Sequence, residues 1–196
     1  MNKTVLIALF GESGSGKDTG VNYLTHNYPY HKIILTTSRP IRENETPDID
    51  YHYNTTEEII YKNNQSKFLN LECFNGWFYG VENSEILENQ INIGAFSIQS
   101  IIDIMEEIDL GYIDITIVPI YIKTNGKDRL LRVLCREENP NCREICRRFY
   151  TDADDFSKIY FDYDVVENLY SYDEFYKNLT KTVKSCLKNY EINMEE

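Results

Sequence analysis

The residues of this chain best suited to chemistry begin at Gly11-Glu12-Ser13-Gly14-Ser15-Gly16-Lys17-Asp18-Thr19, directly after the apolar run Val5-Leu6-Ile7-Ala8-Leu9-Phe10. Glycines at 11, 14 and 16 let a turn pass close to an anion with backbone angles that a Cβ forbids. The amides of that turn and the positive end of a helix starting near Lys17 converge on phosphate oxygens, and Lys17 reaches the terminal phosphates. Strand, loop and helix agree. The expected ligand is a nucleoside triphosphate held by Gly11, Ser13, Gly14, Ser15, Gly16, Lys17, Asp18 and Thr19. The spacing G-x-x-x-x-G-K is complete, but Asp18 stands where a hydroxyl normally follows the lysine, with Thr19 one place later. Two readings of Asp18 stay open. Asp18, or Thr19 with waters, ligates Mg²⁺; or Asp18 complements the helix N-terminus, an effect of about 0.3–1 kcal/mol.

A second cluster lies downstream. Arg39 and Arg42 in Ser38-Arg39-Pro40-Ile41-Arg42 are followed by Glu45, by Asp50-Tyr51-His52-Tyr53 and by Gly76-Trp77-Phe78-Tyr79-Gly80. Two guanidiniums with two phenols suit a phosphate monoester, because Arg matches its oxygens bidentately and Tyr donates one more hydrogen bond. Alone, the same residues also read as a solvated loop beside core aromatics. A third group, Arg132, Arg136, Arg143, Arg147 and Arg148, is a basic run in a chain of net charge −12. Arginines on a closing segment stabilise the charge of a phosphoryl group in transfer; the alternative is a helix surface paired with Glu137, Glu138 and Glu144.

The net charge of −12 argues against a nucleic-acid backbone as main partner, since that binding draws on a positive surface. No apolar run approaches the roughly 20 residues that span a bilayer, and the N-terminus runs straight into an apolar strand, so a soluble cytoplasmic protein is expected. Five cysteines without a signal sequence imply reduced thiols. Cys135, Cys142 and Cys146 raise the idea of a zinc-bearing lid, but they form no C-x-x-C pair and no His lies near.

These groups need a scaffold, and the apolar pattern supplies one. A strand over 5–10, a helix over 17–26 and a strand at Lys32-Ile33-Ile34-Leu35 make a βαβ unit. Ser38 to Asn54 reads as loop, and a helix begins at Thr56 with Thr55 or Thr56 as cap. Strands are predicted near 68–74, 77–81, 90–96 and 115–122, with Pro119 at a bulge or strand end. Helices follow near 98–109, 126–136 and 141–152, then a short strand at Val165-Val166 and a helix from Tyr172 to Lys188. The alternation predicts an α/β fold, a mainly parallel sheet flanked by helices.

With the phosphate-binding loop in place, the order of motifs resembles the guanylate kinase family. That family carries T-T-R-x-x-R-x-x-E, D-Y-x-F and G-x-Y-Y-G, and the chain reads Thr36-Thr37-Ser38-Arg39-Pro40-Ile41-Arg42-Glu43-Asn44-Glu45, Asp50-Tyr51-His52-Tyr53 and Gly76-Trp77-Phe78-Tyr79-Gly80. The resemblance covers roughly residues 3–185. It implies a P-loop NTPase-type sheet with a small monophosphate-binding insertion and a helical lid. The implied layout is one domain over 1–190, with core segments about 1–35, 90–125 and 160–190, an acceptor region about 36–89, a lid about 126–158, and an acidic tail at 191–196. Arg39, Arg42, Tyr51 and Tyr79 would hold the acceptor phosphate. Arg136 and Arg148 match the lid arginines that join Lys17 in catalysis, Arg147 replacing Arg148 if the match slips by one, and Asn168 falls at the late turn beside the adenine of ATP.

The departures gather where the family reads its base. Asn70 stands in place of a glutamate, Val81 in place of a hydroxyl and Leu35 in place of a serine, leaving Thr36, Glu45, Asn70 and Val81 as candidates around the base and implying that selectivity for guanine is weakened or shifted to another base. The family's D-x-D is missing from Ile91-Asn92-Ile93-Gly94-Ala95-Phe96-Ser97, with Asn92, Ser97 or Asp18 as possible replacements. The expected function is transfer of the γ-phosphate of ATP, with Mg²⁺, to a GMP- or dGMP-like acceptor, by a protein whose partners are small nucleotides and which is a monomer or homodimer. Alternatives are a kinase of the same scaffold acting on a modified nucleotide or sugar phosphate, and a non-catalytic module that binds phosphopeptides.

Overall fold

The computed structural model describes residues 3–189 apart from Asn44, Glu137, Lys158 and Tyr170; the acidic tail 191–196 lies outside the described residues. The fold is organised around β1 (Val5–Phe10), which is buried at every position. Alternation of side chains along a strand sends Val5, Ile7 and Leu9 to one face and Leu6, Ala8 and Phe10 to the other, and each set seeds its own apolar cluster. A strand apolar on both faces belongs in the middle of a parallel sheet covered by helices. The sheet runs β2 (His31–Lys32), β7 (Ile91–Ala95), β1, β8 (Thr116–Lys123), β9 (Asp164–Glu167), every pairing parallel. Helices α1 (Lys17–Asn27) and α6 (Tyr172–Asn189) cover the Val5 face through Val21, Leu24, Phe175, Leu179 and Val183. The Leu6 face takes Ile101 and Ile104 of α3 (Ile98–Asp109), whose apolar residues fall at helical spacing behind a Ser97 cap.

Strand order reverses at β1, with β7 on one side and β8 on the other, so the crevice at its carboxyl end is where such sheets bind ligands. Two smaller bodies surround that crevice. One is a four-stranded sheet in the order β4 (His52–Tyr53), β3 (Thr36–Thr37), β6 (Trp77–Glu82), β5 (Phe68–Phe74), backed by α2 (Thr56–Asn63) with a Thr55–Glu58 capping box. The other is the helix pair α4 (Gly126–Leu134) and α5 (Cys142–Asp155). In the small sheet Thr37 and Glu72 both stand opposite Tyr79, and Asn70 stands opposite Val81. One face therefore carries Thr37, Tyr53, Tyr79, Val81, Asn70 and Glu72, while Thr36, His52 and Leu71 take the other.

Three local expectations are corrected. Lys32 to Leu35 is not one strand: Ile33 N–H still donates to Ile93 in the large sheet, whereas Leu35 C=O accepts from His52 N–H in the small one. The run crosses between two sheets, which an apolar pattern does not reveal. The loop expected from Ser38 to Asn54 contains β4, a two-residue strand too short to carry a periodic signal. Pro119 sits inside β8, opposite Ala8. Because Thr116 N–H points to β1, position 119 faces the other way, and β9 begins its pairing only at Ile120. The missing donor thus falls just short of the next strand. Among the described residues no helix is long and apolar enough to cross a membrane.

Candidate active site

The glycine loop leaves β1 and enters α1 through Gly16, which has φ of +101° and would bring a Cβ to 2.5 Å from Asn168 Nδ2. Gly14, at φ +79°, would meet the Arg129 carbonyl at 2.6 Å. Both positions require glycine because the loop is left-handed there and pressed against its own scaffold. Lys17 curls over the loop, its Nζ donating to the Gly11 carbonyl at 2.6 Å and to that of Glu12 at 3.4 Å. Burial pushes the Lys17 pKa down, opposed by the Asp18, Asp152 and Glu12 carboxylates.

Behind the loop, Asn168 is buried and donates from Nδ2 to the Ser15 carbonyl at 2.8 Å, while Thr124 Oγ1 donates to the same carbonyl at 3.0 Å. Arg132 reaches the Gly14 and Ser15 carbonyls and Asn168 Oδ1. The Asn168 side chain, expected beside the adenine of ATP, is turned to the loop. Both ends of its amide are engaged with the loop and with Arg132, so it braces the phosphate site from behind. From the lid, Asp152 Oδ2 accepts from Ser13 N–H at 2.7 Å and pairs with Arg129, which also lies 3.5 Å from Glu12 and over the Phe149 ring. Sequence reasoning missed Arg129, Asp152 and the bracing role of Arg132. The three-residue spacing of Arg129 and Arg132, which puts both on one helix face, was the available signal; Asp152 gave none.

On the facing side, Arg39 is buried and its guanidinium forms a two-oxygen pair with Glu45 at 2.9 and 3.0 Å. Glu45 also accepts from Arg42 N–H and from the Tyr53 hydroxyl. The oxygens of Glu45, a residue expected near the base, are thus taken up in building the clamp. Burial raises Tyr53 to about 12, reinforced by its bond to Glu45. Burial would lower Arg39, and Glu45 more than offsets this, so its pKa is raised. Arg42 is lowered, first by burial and then by Arg39 and Arg148, with Arg136 adding to the effect. Arg136 and Arg148 thus add to the positive field at Arg42. Tyr51 lies under Arg39 at 5.3 Å and edge-on to Tyr79 at 6.3 Å. Its pKa is raised by burial and then by Asp18, which ties the clamp to the start of α1 across the crevice. Arg148 and Arg147 share Glu144, whose carboxyl they hold down to about 2.

The base candidates separate. The Thr36 hydroxyl donates to Glu82 on the α2 side of the sheet, away from Tyr79. Val81 is completely buried in the apolar cluster with Leu6, Phe96 and Ile101, so it is a wall and not a reader. Asn70 is buried with both side-chain amide atoms unpartnered. Of the candidates for the missing acidic pair, Asn92 is spent on Val5, Leu87 and Gln90, and Ser97 caps α3 while donating to Glu72. Asp18 remains, exposed on the first turn of α1 and, among the described residues, in no ion pair. One carboxylate beside a phosphate loop fits Mg²⁺, which commonly uses one or two carboxylates together with substrate phosphates and water.

Comparison with known proteins gives the chain's family and fold. A sequence model of the guanylate kinase family matches residues 2–186. The guanylate kinase of Helicobacter hepaticus is 25% identical over 174 residues, covering 86% of this chain and 84% of that protein. Those of Lawsonia intracellularis and Clostridium tetani are 33% and 32% identical over shorter segments, 41% and 45% of this chain, which span only 39% and 42% of those proteins. The crystal structure of guanylate kinase from Anaplasma phagocytophilum superposes with a TM-score of 0.69 at 17% identity, over 99% of this chain and 89% of that one, and so shares the fold.

Proposed function

The chain belongs to the guanylate kinase family, and we propose that it transfers the γ-phosphate of ATP to a nucleoside monophosphate of the GMP or dGMP type, giving the diphosphate. The observation that carries this reading is the pairing of two phosphate sites across one crevice. In this reading the glycine loop with Lys17 faces the Arg39–Arg42–Tyr51–Tyr79 clamp across the crevice, and the influence of Asp18 on the Tyr51 pKa and of Arg136 and Arg148 on that of Arg42 supports it. A donor site alone suits any nucleotide hydrolase. A donor site opposed by an arginine clamp suits transfer to a second phosphate.

In this reading Lys17 and the loop amides hold the donor β- and γ-phosphates, and Arg39, Arg42, Tyr51 and Tyr79 hold the acceptor phosphate in line with them. Transfer is direct, because phosphoryl transfer between bound partners depends mainly on positioning and electrostatic stabilisation. Arg136 and Arg148 add positive charge where it spreads over the moving oxygens, and lid closure excludes water that would hydrolyse ATP. Asp18 and Thr19 would hold Mg²⁺, which supplies further neutralisation of phosphate charge when bound. A screen of ATP consumption against ribo- and deoxynucleoside monophosphates tests the proposal. Turnover with GMP or dGMP is expected; ADP formation with none of the monophosphates overturns it.

A further inference from the structure

We propose that Asp152 is an internal stand-in for a donor phosphate: it holds the Ser13 amide and the Arg129 guanidinium until a triphosphate displaces it, and Arg129 then binds that triphosphate. The inference rests on the donor site of the function proposed above and adds to it a binding residue and a built-in competitor. Ser13 belongs to the glycine loop, whose amides are arranged for an anion. The anion on its N–H is a side chain of the chain itself, Asp152 Oδ2 of α5, at 2.7 Å. That is the length of a charge-assisted bond. The same charges surround Lys17: burial lowers its pKa, Asp18, Asp152 and Glu12 oppose this, and Arg129 adds to the lowering. A carboxylate and a second cation thus stand in the field of the lysine that serves the donor phosphates.

Arg129 is the group that this anion holds in place. Its side chain is only 11% exposed, yet among the described residues it makes no short hydrogen bond. Nη1 lies 3.4 Å from both Asp152 Oδ2 and the Ser13 carbonyl, Nη2 lies 3.5 Å from Glu12 Oε1, and Nε has no partner. A well-made N–H···O bond is shorter, about 2.7–3.2 Å. The two neighbouring carboxylates have their short bonds elsewhere, Asp152 with the Ser13 amide and Glu12 with the Tyr121 hydroxyl at 2.7 Å. The base of Arg129, in contrast, is fixed. Its N–H donates to the Asn125 carbonyl on α4, and its own carbonyl is packed against Gly14. The Phe149 ring supports the guanidinium at 4.8 Å. A buried planar fork, firmly based and loosely satisfied against a phosphate loop, suits phosphate oxygens better than two carboxylates engaged elsewhere.

The two roles are coupled. A phosphate oxygen that takes the Ser13 amide replaces Asp152 Oδ2, and the two anions repel, so Asp152 turns away. Arg129 then exchanges a carboxylate at 3.4 Å for a phosphate. Until that exchange, Asp152 and Glu12 keep the buried guanidinium from standing without a counter-charge. Apparent affinity for a triphosphate is the intrinsic affinity reduced by the fraction of molecules in which the amide is released, so Asp152 sets it. Asp152 shares α5 with Arg148, whose charge is felt at Arg42. Its release from the loop is therefore where donor binding is communicated to the acceptor clamp.

The test measures binding of ATP and of inorganic tripolyphosphate by calorimetry, without metal or acceptor. Asp152→Asn keeps the shape and an oxygen for Ser13 N–H but removes the charge. It should tighten both ligands by about five- to twentyfold, because the bond to be displaced is no longer charge-assisted. Arg129→Gln should weaken both by about tenfold or more, and in the double variant the gain from Asp152→Asn should vanish, since the two residues act through one contact. Binding of GMP alone should stay within about twofold in each variant. Unchanged or weaker binding of ATP and tripolyphosphate by folded Asp152→Asn overturns the inference, and so does an additive double variant. If Asp152→Asn does not fold, NMR of the wild type decides. Tripolyphosphate should move the Ser13 amide and the Asp152 carboxyl carbon together, and an unmoved Asp152 carboxyl overturns the inference. Tighter ATP binding by Asp152→Asn in a protein that phosphorylates no monophosphate sustains the inference and overturns the kinase reading; phosphorylation of GMP with ATP affinity indifferent to Asp152 does the reverse. Failure to bind ATP and tripolyphosphate overturns both.

Discussion

The glycine loop and the small sheet both face the crevice, but they are finished to different degrees. Around the loop the backbone carbonyls have protein partners, since Asn168, Thr124 and Arg132 hold those of Gly14 and Ser15 and Lys17 lies against Gly11, while the buried Ser15 hydroxyl and Arg129 Nε have none. On the small sheet the phosphate clamp is similarly built around Glu45, whereas Asn70 next to it has none. Phosphate is common to every nucleotide and can be met by a backbone frame. The base is the variable part of a nucleotide, and a frame built for phosphate carries no information about it.

The sharpest way to break this contrast is to remove the loop's charge. Lys17→Ala should lower kcat by about a thousandfold or more, about 4 kcal/mol of transition-state stabilisation, with circular dichroism and thermal unfolding nearly unchanged. Wild-type turnover in the folded variant would remove the loop from the reaction.

Arg39→Ala and Arg42→Ala come next. Each should raise the acceptor KM by the equivalent of about 1.5–3 kcal/mol while leaving ATP binding within a fewfold. Arg39→Ala should be the worse of the two, because it leaves the largely buried Glu45 carboxylate without its guanidinium partner. Adding Glu45→Gln to Arg39→Ala should then recover thermal stability but not acceptor affinity. If both substitutions instead abolished ATP binding and spared the acceptor, the two sites would be exchanged.

A smaller effect is expected from the loop's frame. Asn168→Ala deletes the donor to Ser15 and opens space beside Gly16, so unfolding free energy should fall by about 1–2 kcal/mol and ATP affinity with it. Gly16→Ala in the Asn168→Ala background separates the two costs that glycine avoids there. The contact with Nδ2 is gone, and the strain of the positive φ remains.

The contrast also explains what the sequence disclosed. α3 runs from Ile98 to Asp109 and β5 from Phe68 to Phe74, as predicted, because a serine cap and a strong apolar period in the first and a glycine turn after the second are local signals. The donor loop was legible for the same reason, since its strand, glycines and lysine are consecutive. The surroundings of Thr36, Glu45 and Asn168 were not legible, because what decides them is not local. Neighbours in sequence on β3 point to opposite faces, Glu45 is fixed by a phenol eight residues on, and Asn168 meets Ser15 across 153 positions. Glu72 went unnoticed since only the packing of α3 against β5 brings Ser97 and Ser100 to it.

The least effect is expected from pH, and it separates the small sheet from the loop. His52 on β4 lies between Asp48 at 2.8 Å and Glu85 at 3.1 Å, and Glu85 in turn accepts from Ile34 N–H where the chain crosses from one sheet to the other. Burial would lower the His52 pKa, and the two carboxylates outweigh it, so it is raised above 6.5. A raised folded value means that the charged form stabilises the fold fully below the unfolded pKa near 6.5. That stabilisation is lost as pH climbs through the higher folded value. Asp48 is largely exposed and screened, which holds the contribution below about 1 kcal/mol. His52→Gln should therefore lower Tm slightly at pH 6 and not at pH 9, and an imidazole titration followed by NMR should give a midpoint above 6.5. A Tm difference that grows with pH would mean that His52 is held neutral, and that the junction between the sheets rests on Glu85 and Ile34 without it.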